Sequence, residues 1–163
     1  MKTIYLIGFM GCGKTTIGES LSESTGKTLV DIDEYIVEKY QSSIPDIFAN
    51  KGEETFRAYE SEALQTETHG GIISTGGGIV QREENREFLK NNGIVVYLSL
   101  PFHTIVERLK KDSNRPLWDT NNENQMEKLY KSRLWMYETC ADITINVDQK
   151  SVEEITEEIT TLL

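Results

Sequence analysis

Gly8, Phe9, Met10, Gly11, Cys12, Gly13, Lys14 and Thr15 form the pattern GxxxxGK[ST]. Glycines in such a loop let backbone N–H groups turn inward around phosphate oxygens, and a helix beginning near Lys14 adds its positive end. Lys14 is then placed to neutralise charge on a transferring phosphoryl group, and Thr15 to ligate Mg2+. Gly11, Cys12, Gly13, Lys14, Thr15 and Thr16 are accordingly the candidate nucleotide-binding residues. Proximity to a helix N-terminus favours a thiolate at Cys12, but a small residue fitting the turn is the plainer reading, so no catalytic role is assigned to it. A phosphate loop by itself names no acceptor.

Candidate acceptor chemistry comes from carboxylates and guanidiniums further along. Asp31 and Asp33 alternate with Val30 and Ile32 at the end of an expected strand, a pattern that turns both carboxylates to the crevice where parallel sheets bind ligands. Asp31 would position Mg2+ through a water, and Asp33 would hold an acceptor hydroxyl and accept its proton. Asp33 also precedes the helical run EYIVEKY and so suits a helix N-cap. Arg57 and Glu60 stand three apart on an expected helix, which on spacing alone reads as a surface ion pair. Gly76, Gly77 and Gly78 directly follow a strand, and three glycines together point to a ligand approaching the backbone closely. Arg115 falls in a polar loop, either as a solvated residue or as a guanidinium brought to the phosphate when the loop closes. Arg133 shares its helix with Lys128 and Lys131; an exposed cation is the default there, although a guanidinium suits bidentate contact with a carboxylate.

The elements that must carry these residues alternate. Strands are expected at Thr3–Gly8, Thr28–Asp33, Gly71–Thr75, Ile94–Leu100 and the run ITINV, with helical periodicity between and after them. Helix EYIVEKY ends near the Ser42, Ser43, Pro45 break, another helix runs from about Glu53 to Thr68, and a third stops at Gly93. Residues 112–125 show no periodicity and form the longest expected loop, followed by a helix beginning around Met126. Strands alternating with helices predict a parallel sheet covered on both faces.

Composition narrows the classes. The 163 residues suit one domain, 1–163, large enough for its own core. A net charge of −10 argues against nucleic acid or anionic lipid as a partner, because both need basic surface. No apolar run reaches the roughly 18 residues of a membrane span. The apolar N-terminus is interrupted by Gly11, Gly13 and Lys14, and is read as a buried strand in place of a signal peptide. Cys12 and Cys140 are far apart with no metal-type spacing, which fits a reducing cytoplasm.

In this order GFMGCGKTT, DID, the FR and E of FRAYE, STGGG, the RP of NRPL, and RLWMYETCAD resemble the shikimate kinase family over about Thr3 to Val147. The resemblance implies a three-layer P-loop kinase fold with five parallel strands and a mobile lid at about 112–125. It implies a monomer that uses ATP and Mg2+ to phosphorylate the 3-hydroxyl of shikimate, in aromatic amino-acid biosynthesis. It assigns Arg57 and Arg133 to the shikimate carboxylate, Asp33 to its hydroxyls and Gly76 to Gly78 to the same pocket. Arg115 becomes the lid arginine and Arg108 the one packing on adenine. Trp118 after RPL, where Leu is usual, and Cys12 in the loop depart from the family pattern. A gluconate-type kinase and a nucleotide-binding sensor without turnover are the alternatives. Lys14, Arg57, Arg115 and Arg133 are expected to concentrate positive charge within an acidic protein.

Overall fold

The structure is a computed structural model that describes residues 2–66, 70–111 and 120–163. Strands β1 (Thr3–Ile7), β2 (Leu29–Asp31), β3 (Ile72–Ser74), β4 (Gly93–Ser99) and β5 (Ile143–Asn146) form one sheet in the order β2-β3-β1-β4-β5. Every pairing is parallel, with Tyr5 opposite Ile73 on one side and Val95 on the other. All residues of β1 are buried, as expected of a central strand covered on both faces.

Between and after the strands come α1 (Lys14–Thr25), α2 (Ile32–Tyr40), α3 (Ile44–Lys51), α4 (Glu53–Thr66), α5 (Glu83–Asn92), α6 (Phe102–Lys111), α7 (Thr120–Cys140) and α8 (Val152–Leu162). The crossover from β1 to β2 runs toward one edge of the sheet, whereas those from β2 to β3, β3 to β4 and β4 to β5 run toward the other. Right-handed connections therefore put α1 on one face and α2 to α7 on the opposite one. Contacts of α1 with α8, and of α4 and α7 with α5, agree with this three-layer arrangement. β1 and β3 are neighbours whose following chains leave to opposite faces, so a crevice opens beyond their carboxyl ends. The phosphate loop follows β1 and the glycine run follows β3.

Several boundaries differ from the expected ones for local reasons. β2 stops at Asp31 because that carboxylate caps α2, its Oδ1 accepting from the Glu34 N–H at 3.1 Å; Asp33 lies inside the first turn and is not the cap. Ser43 and Pro45 start a helix where a break was expected: the Ser43 hydroxyl accepts from the Asp46 N–H, and Pro45 sits in the first turn, where no N–H is needed. Helix α7 starts at Thr120, six residues before the expected Met126, so the end of the expected loop is helical. Gly93 begins β4 in extended conformation, and a Cβ there would run into the Thr3 carbonyl oxygen. It is a close-approach residue between strands and not a left-handed helix stop.

Candidate active site

Gly13 (φ 94°) turns the chain into α1, whose first N–H groups lack acceptors within the helix and face the crevice. A cavity of about 270 Å³ opens there, lined by Met10, Gly11 and Gly13 to Thr16, by Asp31 and Asp33, and by Ser74 to Gly77. Lys14 is folded back on its own loop: its Nζ donates to the carbonyl oxygens of Gly8 at 2.6 Å and Phe9 at 3.2 Å. Cys12 is buried at 2% exposure, in keeping with its reading as a small turn residue. Arg108 reaches the loop from α6, its Nη1 donating to the Gly11 carbonyl at 3.2 Å, while Lys110 and Lys111 are exposed. That contact sets Arg108 apart from its neighbouring cations.

Thr15 and Asp31 meet as the motif reading requires. The Thr15 hydroxyl donates to Asp31 Oδ2 at 3.3 Å, while Asp31 Oδ1 serves as the helix cap. Among the described residues no cluster of three or more metal-ligating side chains occurs. A hydroxyl and a carboxylate beside a phosphate loop are hard oxygen donors that fit Mg2+, which draws most of its ligands from phosphates and water.

Beyond Asp33 the site becomes a buried cluster of charges. Arg57 on α4 donates from Nη1 to Glu60 Oε1 at 2.7 Å and from Nη2 to Glu53 at 3.4 Å. The Glu60 side chain is only 1% exposed, so this is no surface ion pair, contrary to the reading from spacing alone. Arg133 on α7 is likewise buried, at 5% exposure, over the Phe9 ring. Burial holds the Asp33 carboxyl above its ordinary range, and Asp31 adds to the effect against the pull of Lys14 and Arg57. Glu60 is raised for the same first reason, with Arg57 opposing it. Burial lowers the Arg133 guanidinium.

The glycine run makes room for this cluster. A Cβ on Gly76 would lie 2.9 Å from Glu60 Oε2 and 3.2 Å from Asp33 Oδ1, and one on Gly78 would run into the Arg57 guanidinium, with Cζ at 2.6 Å. At Gly77 the nearest atoms are Arg133 Nη1 and the Met10 N, both at 3.5 Å. A ligand was expected to approach this segment; the groups that approach it in the structure are the protein's own side chains. Among the described residues, Asp33 Oδ1, Arg57 Nε, Glu60 Oε2 and Arg133 Nε are buried without a hydrogen-bond partner. Unsatisfied buried polar atoms are uncommon, and four in one cluster beside a cavity describe a site shaped for a polar ligand.

Sequence reasoning anticipated Lys14, Thr15, Thr16, Asp31, Asp33 and the glycines, and the structure gathers them around the cavity with Arg57 and Arg133 beside it. Arg115, Trp118 and residues 112–119 of the expected lid lie outside the described residues. Ser74, Thr75, Glu60 and Tyr137 were not assigned to the site. Tyr137 follows Arg133 by one helical turn, a spacing that marks a shared face once Arg133 is known to point inward. The cations at the acceptor end are matched by Asp33 and Glu60, which tempers the expected concentration of positive charge.

The family model for shikimate kinase matches residues 10–163. A shikimate kinase of Bacillus cereus (strain G9842) is 48% identical over 160 residues, 98% of this chain and 96% of that protein. One of Dictyoglomus turgidum is 42% identical, covering 97% of this chain and 95% of its own. A shikimate kinase from Acinetobacter baumannii, solved in complex with shikimate, superposes with a TM-score of 0.91 at 39% identity, over 99% of this chain and 92% of that one. With a phosphate loop, a five-stranded parallel sheet and near full-length identity of this order, the chain belongs to the shikimate kinase family.

Proposed function

We propose that the chain transfers the γ-phosphoryl group of ATP to the 3-hydroxyl of shikimate, giving shikimate 3-phosphate and ADP. The observation that carries this reading is the cluster of unpartnered buried atoms on Arg57, Arg133, Asp33 and Glu60, a few ångströms from the glycine run and open to the phosphate loop. Two guanidiniums suit a carboxylate, and two carboxylates suit a row of hydroxyls. Shikimate carries both on one ring.

In this mechanism Gly11 to Gly13 and the start of α1 cradle the phosphates of ATP, with Thr16 in the first turn and Arg108 at the rim near adenine. Lys14 exchanges the Gly8 and Phe9 carbonyls for phosphate oxygens. Thr15, and Asp31 through a water, would hold Mg2+, which would supply neutralisation of phosphate charge. Arg57 and Arg133 hold the acceptor carboxylate, and Gly76 to Gly78 let the ring lie against the backbone. Asp33 binds the hydroxyl and takes its proton as the new P–O bond forms and the old one breaks toward ADP. Its raised pKa makes it a better base than an ordinary aspartate. We further read residues 1–163 as one domain, acting as a cytoplasmic monomer. The single sheet and the two unpaired, buried cysteines support that reading.

The test is coupled ADP release with Mg-ATP and a panel of shikimate, gluconate, other hydroxy acids and nucleoside monophosphates. Saturable turnover with shikimate alone is the expected result. Preference for gluconate would reassign the acceptor, and ATP binding without turnover on any member would identify a sensor.

A further inference from the structure

Tyr137 is fully buried on α7, and its hydroxyl donates to the carbonyl oxygen of Gly77 at 2.6 Å. That bond joins positions 60 residues apart in the chain. The ring lies on Tyr97 of β4, with centroids 5.0 Å apart and planes inclined by 19°, so the hydroxyl has little freedom to turn elsewhere. A phenol has one proton to give and lone pairs to spare. With the proton committed to Gly77, the oxygen is left to accept, and Arg133 stands one helical turn earlier on the same face of α7. A Cβ on Gly77 would meet Arg133 Nη1 and the Met10 N at 3.5 Å and the Gly8 O at 3.6 Å. The hydroxyl thus holds the backbone of the glycine run at the residue near which the Arg133 guanidinium lies.

We propose that Tyr137 is a positioning residue for acceptor binding: through its hydroxyl it fixes the Gly76–Gly78 segment and the Arg133 guanidinium relative to one another. The inference rests on the reading of Arg133 as a carboxylate ligand. Replacing Tyr137 by Phe keeps the ring in its stack and removes the bond, leaving the Gly77 carbonyl without its donor. Tyr97→Phe removes the other hydroxyl of the same aromatic stack, and serves as the comparison.

The experiment is steady-state kinetics of wild type, Tyr137→Phe and Tyr97→Phe with shikimate and Mg-ATP, alongside thermal melts. Wild-type protein that fails to turn over shikimate would sink the functional reading, whatever Tyr137 does. Given wild-type turnover, Tyr137→Phe is expected to raise KM for shikimate about tenfold, the scale of one buried hydrogen bond. KM for ATP should stay within about twofold in that variant, and both constants should do so in Tyr97→Phe. The proposal is overturned by an unchanged shikimate KM in Tyr137→Phe, by an equal rise in Tyr97→Phe, by a parallel rise in both Michaelis constants, or by a Tyr137→Phe protein that does not fold.

Discussion

Asp33 is a carboxylate held where folding works against its charge, and that conflict yields a prediction about activity and stability together. Its folded-state pKa is raised chiefly by burial, so between its ordinary range and the raised value the folded state binds the extra proton. Stability contributed by this group is therefore full below the ordinary carboxylate pKa and is lost as pH rises through the raised one. Asp33→Asn should melt higher than wild type at pH 7, the gap closing as pH falls toward 4. It should retain ATP binding but lose about 100-fold or more in turnover, the usual scale for a general base. Near wild-type turnover would remove Asp33 from the mechanism. Lys14→Met forfeits contacts to Gly8, Phe9 and Cys12 in the unliganded fold, at a cost of about 1 kcal/mol. Its turnover should fall by about 10²–10³-fold, as for loss of a charge stabiliser in the transition state. Lys14 and Thr15 were legible in the sequence because a motif fixes both the residue types and the flanking elements. Arg57 and Arg133 were legible only through family resemblance, since spacing along a helix does not say which face is buried. Glu60 and Tyr137 take their meaning from contacts that only the tertiary structure supplies.

The glycine run, as an element, separates space for the site from tolerance of the fold. Gly78 has φ −93°, a conformation open to any residue, and what a Cβ there would meet is the far end of the Arg57 side chain. Gly78→Ala should therefore fold with a stability change of about 1 kcal/mol or less, the guanidinium swinging aside. Arg57 can then no longer hold its place, and KM for shikimate should rise by roughly tenfold or more. Gly77→Ala, whose Cβ would find only contacts at 3.5 Å, should be much milder. Equal kinetics in the two variants would show that the run acts through backbone flexibility and not through the room it leaves. The triple glycine announced a close approach in sequence and was read as room for a ligand; that Arg57 and Glu60 make the approach was not legible, because they come from a distant helix. The same limit appears at Ser43 and Pro45, which punctuate a chain equally well as a stop or as a start. The neighbouring capping bond decides between them.

At the scale of the molecule, alternating strands and helices made the parallel sheet legible, whereas its order β2-β3-β1-β4-β5 came only from the observed pairing. That order brings the loops after β1 and β3 together, and with them a cluster whose buried atoms on Asp33, Arg57, Glu60 and Arg133 lack partners. Each such atom carries a desolvation penalty in the unliganded protein that a complementary ligand offsets. Shikimate should consequently stabilise the whole fold, since the elements holding these side chains belong to one core. At 100 times its Kd a ligand bound only by the folded state adds about 2.7 kcal/mol. For a chain of this size that corresponds to a rise in Tm of about 5–10 °C. Arg133→Met retains an apolar stem over Phe9 while removing the guanidinium, so it should lose most of the shift with shikimate and keep the shift with Mg-ATP. Undiminished stabilisation by shikimate in Arg133→Met would mean that the acceptor carboxylate is held elsewhere. Loss of both shifts would mean that Arg133 supports the phosphate loop through Phe9 and not the acceptor alone.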